Sequence, residues 1–351
     1  MSSTTKEYSR WVLQTQSGLD FLEYTETPLS FPLGSEDVLV RLHAASLNAR
    51  DVGLAQALGM APTKPSLVPG SDGAGVVVEV GSAVTSFQPG DRIVTHIALH
   101  VPDDAFPTLA ELEDGLGHKT DGTLRRLGVF HQTALVHMPR QLSFEQAATL
   151  TCSGLTAWNA LMAAPGRSLR PSDYVLVQGT GGVSIAALQI AVAAGAKVIA
   201  TTSSDEKAAR LQALGATHVI NYRKTPDWGK VARSFTPSGR GVDHVVDIGG
   251  YATMKESITA TRLNGVVSVT GASGGFETKS PDILQILWNG VILRGILVGG
   301  RQMFRDMVKF IEEKNLKPVL DDVSFDLRDA KQAHERLEGK KHFSKVVIKI
   351  D

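Results

Sequence analysis

The chain has 351 residues, 42% of them hydrophobic and 21% charged, which suits a globular protein with room for two cores. Lys+Arg and Asp+Glu each number 36, so the formal charge is zero and no net positive field exists to attract nucleic acid or an anionic membrane. A single cysteine excludes intrachain disulfides and any multi-cysteine zinc site, and no apolar run reaches the ~20 residues of a membrane span.

The first residues, Met1 to Tyr8, carry no apolar core of a secretory signal, and the expected compartment is a reducing cytoplasm. The region 1–150 then reads as short β-branched strands, Asp37–His43, Gly75–Val80 and Asp91–Thr95. Turn residues at Gly34, Pro69-Gly70, Gly81-Ser82 and Pro89-Gly90 separate them. That pattern predicts a small barrel or irregular β domain. Residues 97–123 are acidic and helix-compatible and read as a surface insertion. Helices are expected over Ser143–Leu150, with Ser143 as cap, and over Thr156–Ala163.

The most informative stretch follows, Val175-Leu-Val-Gln-Gly-Thr-Gly-Gly-Val-Ser184, with a helix expected to run on to Ala194. An apolar strand stops at a glycine cluster. Gly179 can take the tight turn, and Gly181 lets the backbone approach a ligand. Thr180, Gly182 and Val183 complete the loop at a helix N-terminus, whose free N–H groups and positive dipole end suit a pyrophosphate. The spacing is G-x-G-x-x-S, and glycine turns of this kind also join strands and helices that bind nothing. Ser184 stands where a third glycine usually allows close packing, so this helix is expected slightly further from its strand.

The neighbouring elements raise the weight of the dinucleotide reading. A strand at Lys197–Thr201 is followed by a helix capped by Ser203, with Glu206 completing a capping box and Gly215 ending it. Strands are expected again at His218–Asn221, Val242–Asp247 and Val266–Thr270. Strands alternating with helices predict a doubly wound parallel sheet, hence an α/β protein. Two further helices, Met303–Lys314 and Arg328–Leu337, and a closing strand from Val346 end the chain.

NAD-specific domains of this type place a carboxylate at the end of the second strand. Here that strand ends Ala200-Thr-Thr-Ser-Ser204. The hydroxyls of Thr202 and Ser203 and the ammonium of Lys207 suit a 2′-phosphate instead, although Lys207 alone also reads as a solvated helix residue. The cofactor expected is NADP. His96, His100 and His118, with Asp103 and Asp104 nearby, could suggest a metal. Positions 96 and 100 of a strand lie ~13 Å apart, so partly exposed surface histidines are expected there.

Asp37-Val-Leu-Val-Arg, Ser46-Leu-Asn-Ala-Arg-Asp51, Pro69-Gly-Ser-Asp-Gly-Ala-Gly-Val-Val-Val-Glu-Val-Gly81 and Pro89-Gly-Asp-Arg-Ile-Val94 together resemble the medium-chain dehydrogenase/reductase superfamily. So do Ala147-Ala-Thr-Leu-Thr-Cys-Ser-Gly-Leu-Thr-Ala-Trp158 and Leu214-Gly-Ala-Thr-His-Val-Ile-Asn-Tyr222. The resemblance covers nearly the whole chain. It implies a GroES-like β domain over 1–150, a Rossmann NADP-binding domain over 151–297, and a return to the first domain over 298–351. The nicotinamide and substrate would lie between them, and a homodimer is expected.

The zinc-dependent branch of that superfamily uses a Cys, a His with Glu beside it, and a further Cys or acidic ligand. The corresponding positions here are Asn48, Ser71-Asp72 and Cys152, so only one ligand matches. Amide and hydroxyl groups bind zinc poorly. The resemblance is therefore to the zinc-free quinone and enoyl reductases, with no zinc expected. It places Asn48 and Asp51 near the nicotinamide, where Asn48 could donate to a carbonyl oxygen or a ribose hydroxyl. Asp51 reads equally well as a partner of Arg50 or as part of a backbone turn. Thr156 matches a position near the nicotinamide ring, and a helix-capping hydroxyl would look the same. Tyr222 resembles a tyrosine flanking the 2′-phosphate. Gly249, Gly271, Ser273 and Gly299 follow strands on the ligand side and would line the cofactor.

Without Lewis-acid polarisation, reduction of a C=C bond conjugated to a carbonyl asks least of the site, since the enolate needs one hydrogen bond and a proton. The substrate expected is thus a small enone, quinone or enoyl compound. Two alternatives stay open: a zinc-free alcohol or aldehyde oxidoreductase, and an NADPH-binding structural or sensor protein with little turnover. No general acid stands out among His43, His131 and His137, and Cys152 reads as a core residue rather than a nucleophile.

Overall fold

The computed structural model describes residues 6–29, 32–58, 61–275 and 283–350. Contacts divide the chain into two units, Met1–Ser153 with Gly300–Asp351, and Gly154–Gly299. The first unit begins with β1 (Lys6–Leu13) and β2 (Leu22–Leu29), an antiparallel pair. It continues with β3 (Asp37–Ser46), β4 (Asp72–Val80), β5 (Arg92–Thr95), β6 (Leu127–His131) and β7 (Leu135–His137). The second unit holds β8 (Tyr174–Gln178), β9 (Lys197–Thr202), β10 (Ala216–Asn221), β11 (Val242–Asp247), β12 (Thr261–Val269) and β13 (Ile292–Gly295). The chain then returns to the first unit for β14 (Leu320–Asp326) and β15 (Lys345–Lys349).

Among the described residues, the first unit's main sheet runs β14-β15-β3-β4-β5-β7, with β6 also on β3. Apart from the parallel pair β14–β15, its ladders are antiparallel. Alternate β-branched residues fill its core: Val38, Val40, Val346 and Ile348 are fully buried. β3 and β4 approach so closely at a bulge that a Cβ on Gly75 would lie 2.1 Å from the Arg41 carbonyl oxygen. The register of β3 decides the site, because Ser46 pairs with Asp72 on one side and Val347 on the other.

The second unit's strands are all parallel, in the order β10-β9-β8-β11-β12-β13. This is the doubly wound order, with its reversal between β8 and β11, and a ligand crevice is expected at the carboxyl ends of those two strands. Both are buried along their whole length, as parallel strands covered on two faces are. The helix Gly182–Ala193 links β8 to β9, and Asp205–Ala213 links β9 to β10.

Four local expectations shift. β9 runs one residue further than expected, pairing Thr202 with Asn221, so the next helix is capped by Ser204 and not Ser203. Its hydroxyl accepts from Lys207 N–H at 3.4 Å. The helices Phe144–Ala148 and Leu155–Met162 are joined by a π-helical turn, Leu150–Gly154. Residues 97–123 are only in part a surface excursion. Leu109–Glu113 is a short exposed helix, but Leu116 enters the core, tied through its N–H to the Ile97 carbonyl at 2.9 Å. Nor are His96 and His118 surface residues. Both are buried, their rings bonded to the carbonyls of Ala98 at 3.0 Å and Ala61 at 2.9 Å, while His100 is exposed. No helix among the described residues is long and apolar enough to cross a membrane.

Candidate active site

At the end of β3 the chain turns into the helix Ala49–Ala55, with Asn48 as its N-cap residue. The Asn48 N–H donates to Asp51 Oδ2 at 2.7 Å, one half of a capping-box arrangement. β15 brings Lys345 alongside. Its ammonium donates to Leu47 O at 2.7 Å, Asn48 Oδ1 at 2.5 Å and Asp72 Oδ2 at 3.3 Å. Asp72, the first residue of β4, also accepts from Ser46 Oγ at 3.1 Å and Ser71 Oγ at 2.7 Å. Ser153 Oγ donates to Asn48 Oδ1 at 3.4 Å. All of these side chains are buried, and among the described residues Asn48 Nδ2 has no hydrogen-bond partner.

The electrostatics follow from burial. The Asp51 carboxyl is pushed above its ordinary value, mainly by desolvation, with the neighbouring Asp72 charge adding to the effect. The Arg50 guanidinium, 3.8 Å away, opposes it. The half-buried Cys152 thiol is pushed up to about 12, again first by burial and then by Asp72. Asp51 thus engages both the turn and Arg50, the two roles its position suggested. Among the described residues no group of three or more His, Cys, Asp or Glu could hold a metal ion.

In the second unit Gly179 adopts φ +72, a left-handed turn that L side chains rarely take. Around Gly181 an added Cβ would meet nothing within 4 Å among the described residues, so the backbone is open there. Thr180 follows the turn, and Gly182 and Val183 open the helix, whose first N–H groups have no intrahelical acceptor. Ser184 ties the helix to its strand: it is buried, and its hydroxyl donates to the Gln178 carbonyl at 2.5 Å.

The crevice between β8 and β11 is held by a network that sequence reasoning missed. Gln178 Oε1 accepts from Ile248 N–H at 3.2 Å and Gly249 N–H at 3.4 Å, while its Nε2 donates to Asp247 and Ser257 at 3.0 and 2.7 Å. The buried Asp247 carboxylate also accepts from Gly250 N–H at 2.8 Å, Ser257 Oγ at 2.5 Å and Thr253 Oγ1. Gly249 is therefore rigidly placed beside the glycine turn. Ser273 donates to the Ile248 carbonyl at 2.9 Å through its hydroxyl. Gly271 lines an apolar cavity of about 420 Å³ with Gly250, Met254 and Val269. Gly299 is buried at the end of the unit, next to Val298, whose carbonyl accepts from Asn159 Nδ2 at 2.6 Å. Thr156 is buried in the helix Leu155–Met162.

Beyond β9, the buried Thr202 hydroxyl turns back to accept from Ser204 N–H at 3.3 Å, shaping the loop. Ser203 and Lys207 are partly exposed on either side of the helix start. Tyr222 is 41% exposed, and its N–H donates to the carbonyl of the buried Thr202 at 3.0 Å, which sets the two side by side. Asp205, which sequence reasoning passed over, is engaged by Lys224 at 2.5 Å and Asn221 at 2.7 Å.

Residues 34–140 match the alcohol dehydrogenase GroES-like domain family, and residues 182–313 match the zinc-binding dehydrogenase family. A zinc-type alcohol dehydrogenase-like protein of Schizosaccharomyces pombe is 43% identical over 97% of this chain and 99% of its own length. The chain belongs to the medium-chain dehydrogenase/reductase superfamily. It is an oxidoreductase of that superfamily, with a GroES-like domain and a parallel-sheet Rossmann-like domain. A putative alcohol dehydrogenase from Sinorhizobium meliloti superposes with a TM-score of 0.89 at 38% identity, covering 99% of this chain and 100% of that one. An NAD-dependent alcohol dehydrogenase superposes with 0.87 at 35% identity, covering 98% and 100%.

Proposed function

We propose that this superfamily member is a zinc-independent, NADPH-dependent reductase of a small enone, quinone or enoyl substrate. The observation that carries the reading is the Lys345 ammonium bound to Asn48 Oδ1 and Asp72 Oδ2. A fixed cation stands among the positions that zinc-type relatives give to metal ligands, and it repels a second one. The donors there fit zinc poorly: an amide, a hydroxyl committed to Asp72, and a thiol pushed up to about 12 that resists the thiolate form. Bound NADPH would supply the hydride. The turn Gly179–Val183 would hold its pyrophosphate, and Ser203, Lys207 and Tyr222 would surround a 2′-phosphate, with Thr202 shaping the loop. The Asn48 side-chain Nδ2 would hold the substrate carbonyl oxygen as negative charge gathers on it.

Turnover of 2-cyclohexen-1-one, benzoquinone and benzaldehyde, with NADPH and with NADH, tests this directly before and after chelation. Enone or quinone turnover that survives chelation, with NADPH favoured at least about tenfold, is expected. Aldehyde turnover alone favours the alcohol/aldehyde reading, which the names of the relatives support. Tight NADPH binding with no turnover favours a sensor. Activity that returns only with added zinc overturns the metal-free reading.

The protein is further proposed to be a cytoplasmic homodimer joined at β13. Among the described residues that strand is at the sheet edge, and Leu263, Leu287, Trp288, Ile292 and Leu297 are exposed around it. Pairing of two such edges would cover the strand and these side chains in one isologous contact. Light scattering should give twice the chain mass, and Trp288→Asp should halve it.

A further inference from the structure

Lys345 does more than balance a buried carboxylate. An ammonium has three N–H donors and no acceptor, and here three acceptors take them: Leu47 O, Asn48 Oδ1 and Asp72 Oδ2. No donor remains for a substrate. The contact fixes the Asn48 amide, however, because only its oxygen can face the ammonium; the opposite orientation would set donor against donor. The Asn48 NH2 group must therefore point away from Lys345. Asn48 is 8% exposed, and among the described residues Nδ2 has no partner. A buried donor without an acceptor is costly, and a ligand oxygen relieves that cost.

We infer that Lys345 is a positioning residue that orients and polarises Asn48 as the oxyanion donor of the site. A positive charge on the amide oxygen draws electron density from the nitrogen and strengthens its N–H as a donor. The donor is preset, so it needs no reorganisation as charge develops on a substrate oxygen, and its effect falls on kcat more than on KM. This inference rests on the proposed reduction of a conjugated carbonyl.

The test uses NADPH with 2-cyclohexen-1-one for turnover and 4-nitrophenolate, read by its absorbance band, as an oxyanion probe of the NADP⁺-saturated protein. Asn48→Asp keeps an oxygen toward Lys345 and exchanges the donor for an acceptor. It should fold, retain NADPH affinity, lose about 10²-fold in kcat with little change in KM, and bind the phenolate far more weakly. Lys345→Met should lower kcat about tenfold or more in the native background and less than about threefold in the Asn48→Asp background, because it acts through Asn48. If Lys345→Met alone does not fold, Lys345→Met/Asp72→Asn removes both charges together and takes its place. An Asn48→Asp protein with native kcat, or losses that multiply in the double variant, overturns the inference. Phenolate binding that depends on Asn48 and Lys345, without any enone turnover, upholds it while overturning the enone reading.

Discussion

Asp247 offers the sharpest test of how the second unit's crevice is held. Its carboxylate accepts only, and Gln178 Nε2, Ser257 Oγ, Thr253 Oγ1 and Gly250 N–H all donate to it. Asp247→Asn preserves the shape and exchanges one acceptor for two donors. With its oxygen on Gly250 and Thr253, the new amide faces Gln178 Nε2. Flipping Gln178 cures that clash but turns its NH2 toward the N–H groups of Ile248 and Gly249. Either arrangement leaves one or two buried donors unpaired and weakens bonds to a charged acceptor, costing about 2–4 kcal/mol. For a unit of this size that lowers Tm by about 5–15 °C. Calorimetry reads the stability, and quenching of intrinsic fluorescence reads the proposed NADPH binding, which on that proposal should weaken as Gly249 loses its support. A Tm within about 2 °C of native, with unchanged NADPH binding, would refute the reasoning.

Asp51 carries a pH signature. Its folded carboxyl titrates above the unfolded one, so the unfolded chain releases its proton first. Stability falls as pH rises through that interval and levels off beyond the folded value. Asp51→Asn keeps an acceptor for Asn48 N–H and should raise Tm more at about pH 8 than at about pH 4; an equal shift at both would sink this account. Cys152, pushed up to about 12, should react with iodoacetamide at pH 8 about a thousandfold more slowly than an ordinary thiol. Alkylation at the rate of the unfolded chain would contradict that. Ser184→Gly restores the usual third glycine but removes the bond to Gln178 O, and should lower stability in urea by about 1–2 kcal/mol without weakening NADPH. A gain in stability would show that the hydroxyl does not bind the helix.

The second unit was legible because its signals are local. Val242–Asp247 is a strand with the expected bounds, and Gly215 ends its helix where expected, since apolar periodicity and left-handed glycines need no distant partner. Short-range misreadings came from competition between neighbours: Ser203 and Ser204 could both cap, and the extra ladder pair at Thr202 decided for Ser204. The first unit's site was legible only in its nearer half. Asn48 and Asp72 stood out by what they replace, but Lys345 lies 297 residues from Asn48 at the head of the Lys-Val-Val-Ile-Lys strand. Such a lysine looks solvated until the pairing of β15 with β3 turns it inward. His96 and His118 were misjudged for the same reason, since backbone carbonyls brought close by the fold satisfy them inside the core.

The return of the chain to its first unit gives assembly an order. The second unit is one unbroken segment, whereas β3 must wait for β15, which follows it by some 300 residues. At about 5–20 residues per second on the ribosome, that wait is roughly 15–60 s. Until it ends, one edge of β3 at Ala44–Ser46 is unpaired and Asp72 lacks its counter-ion. A chain cut short before Lys345 can complete its parallel sheet but leaves a stranded carboxylate where the finished protein has an ion pair. The first unit's buried ion pair therefore forms only after the whole segment of the second unit has been made.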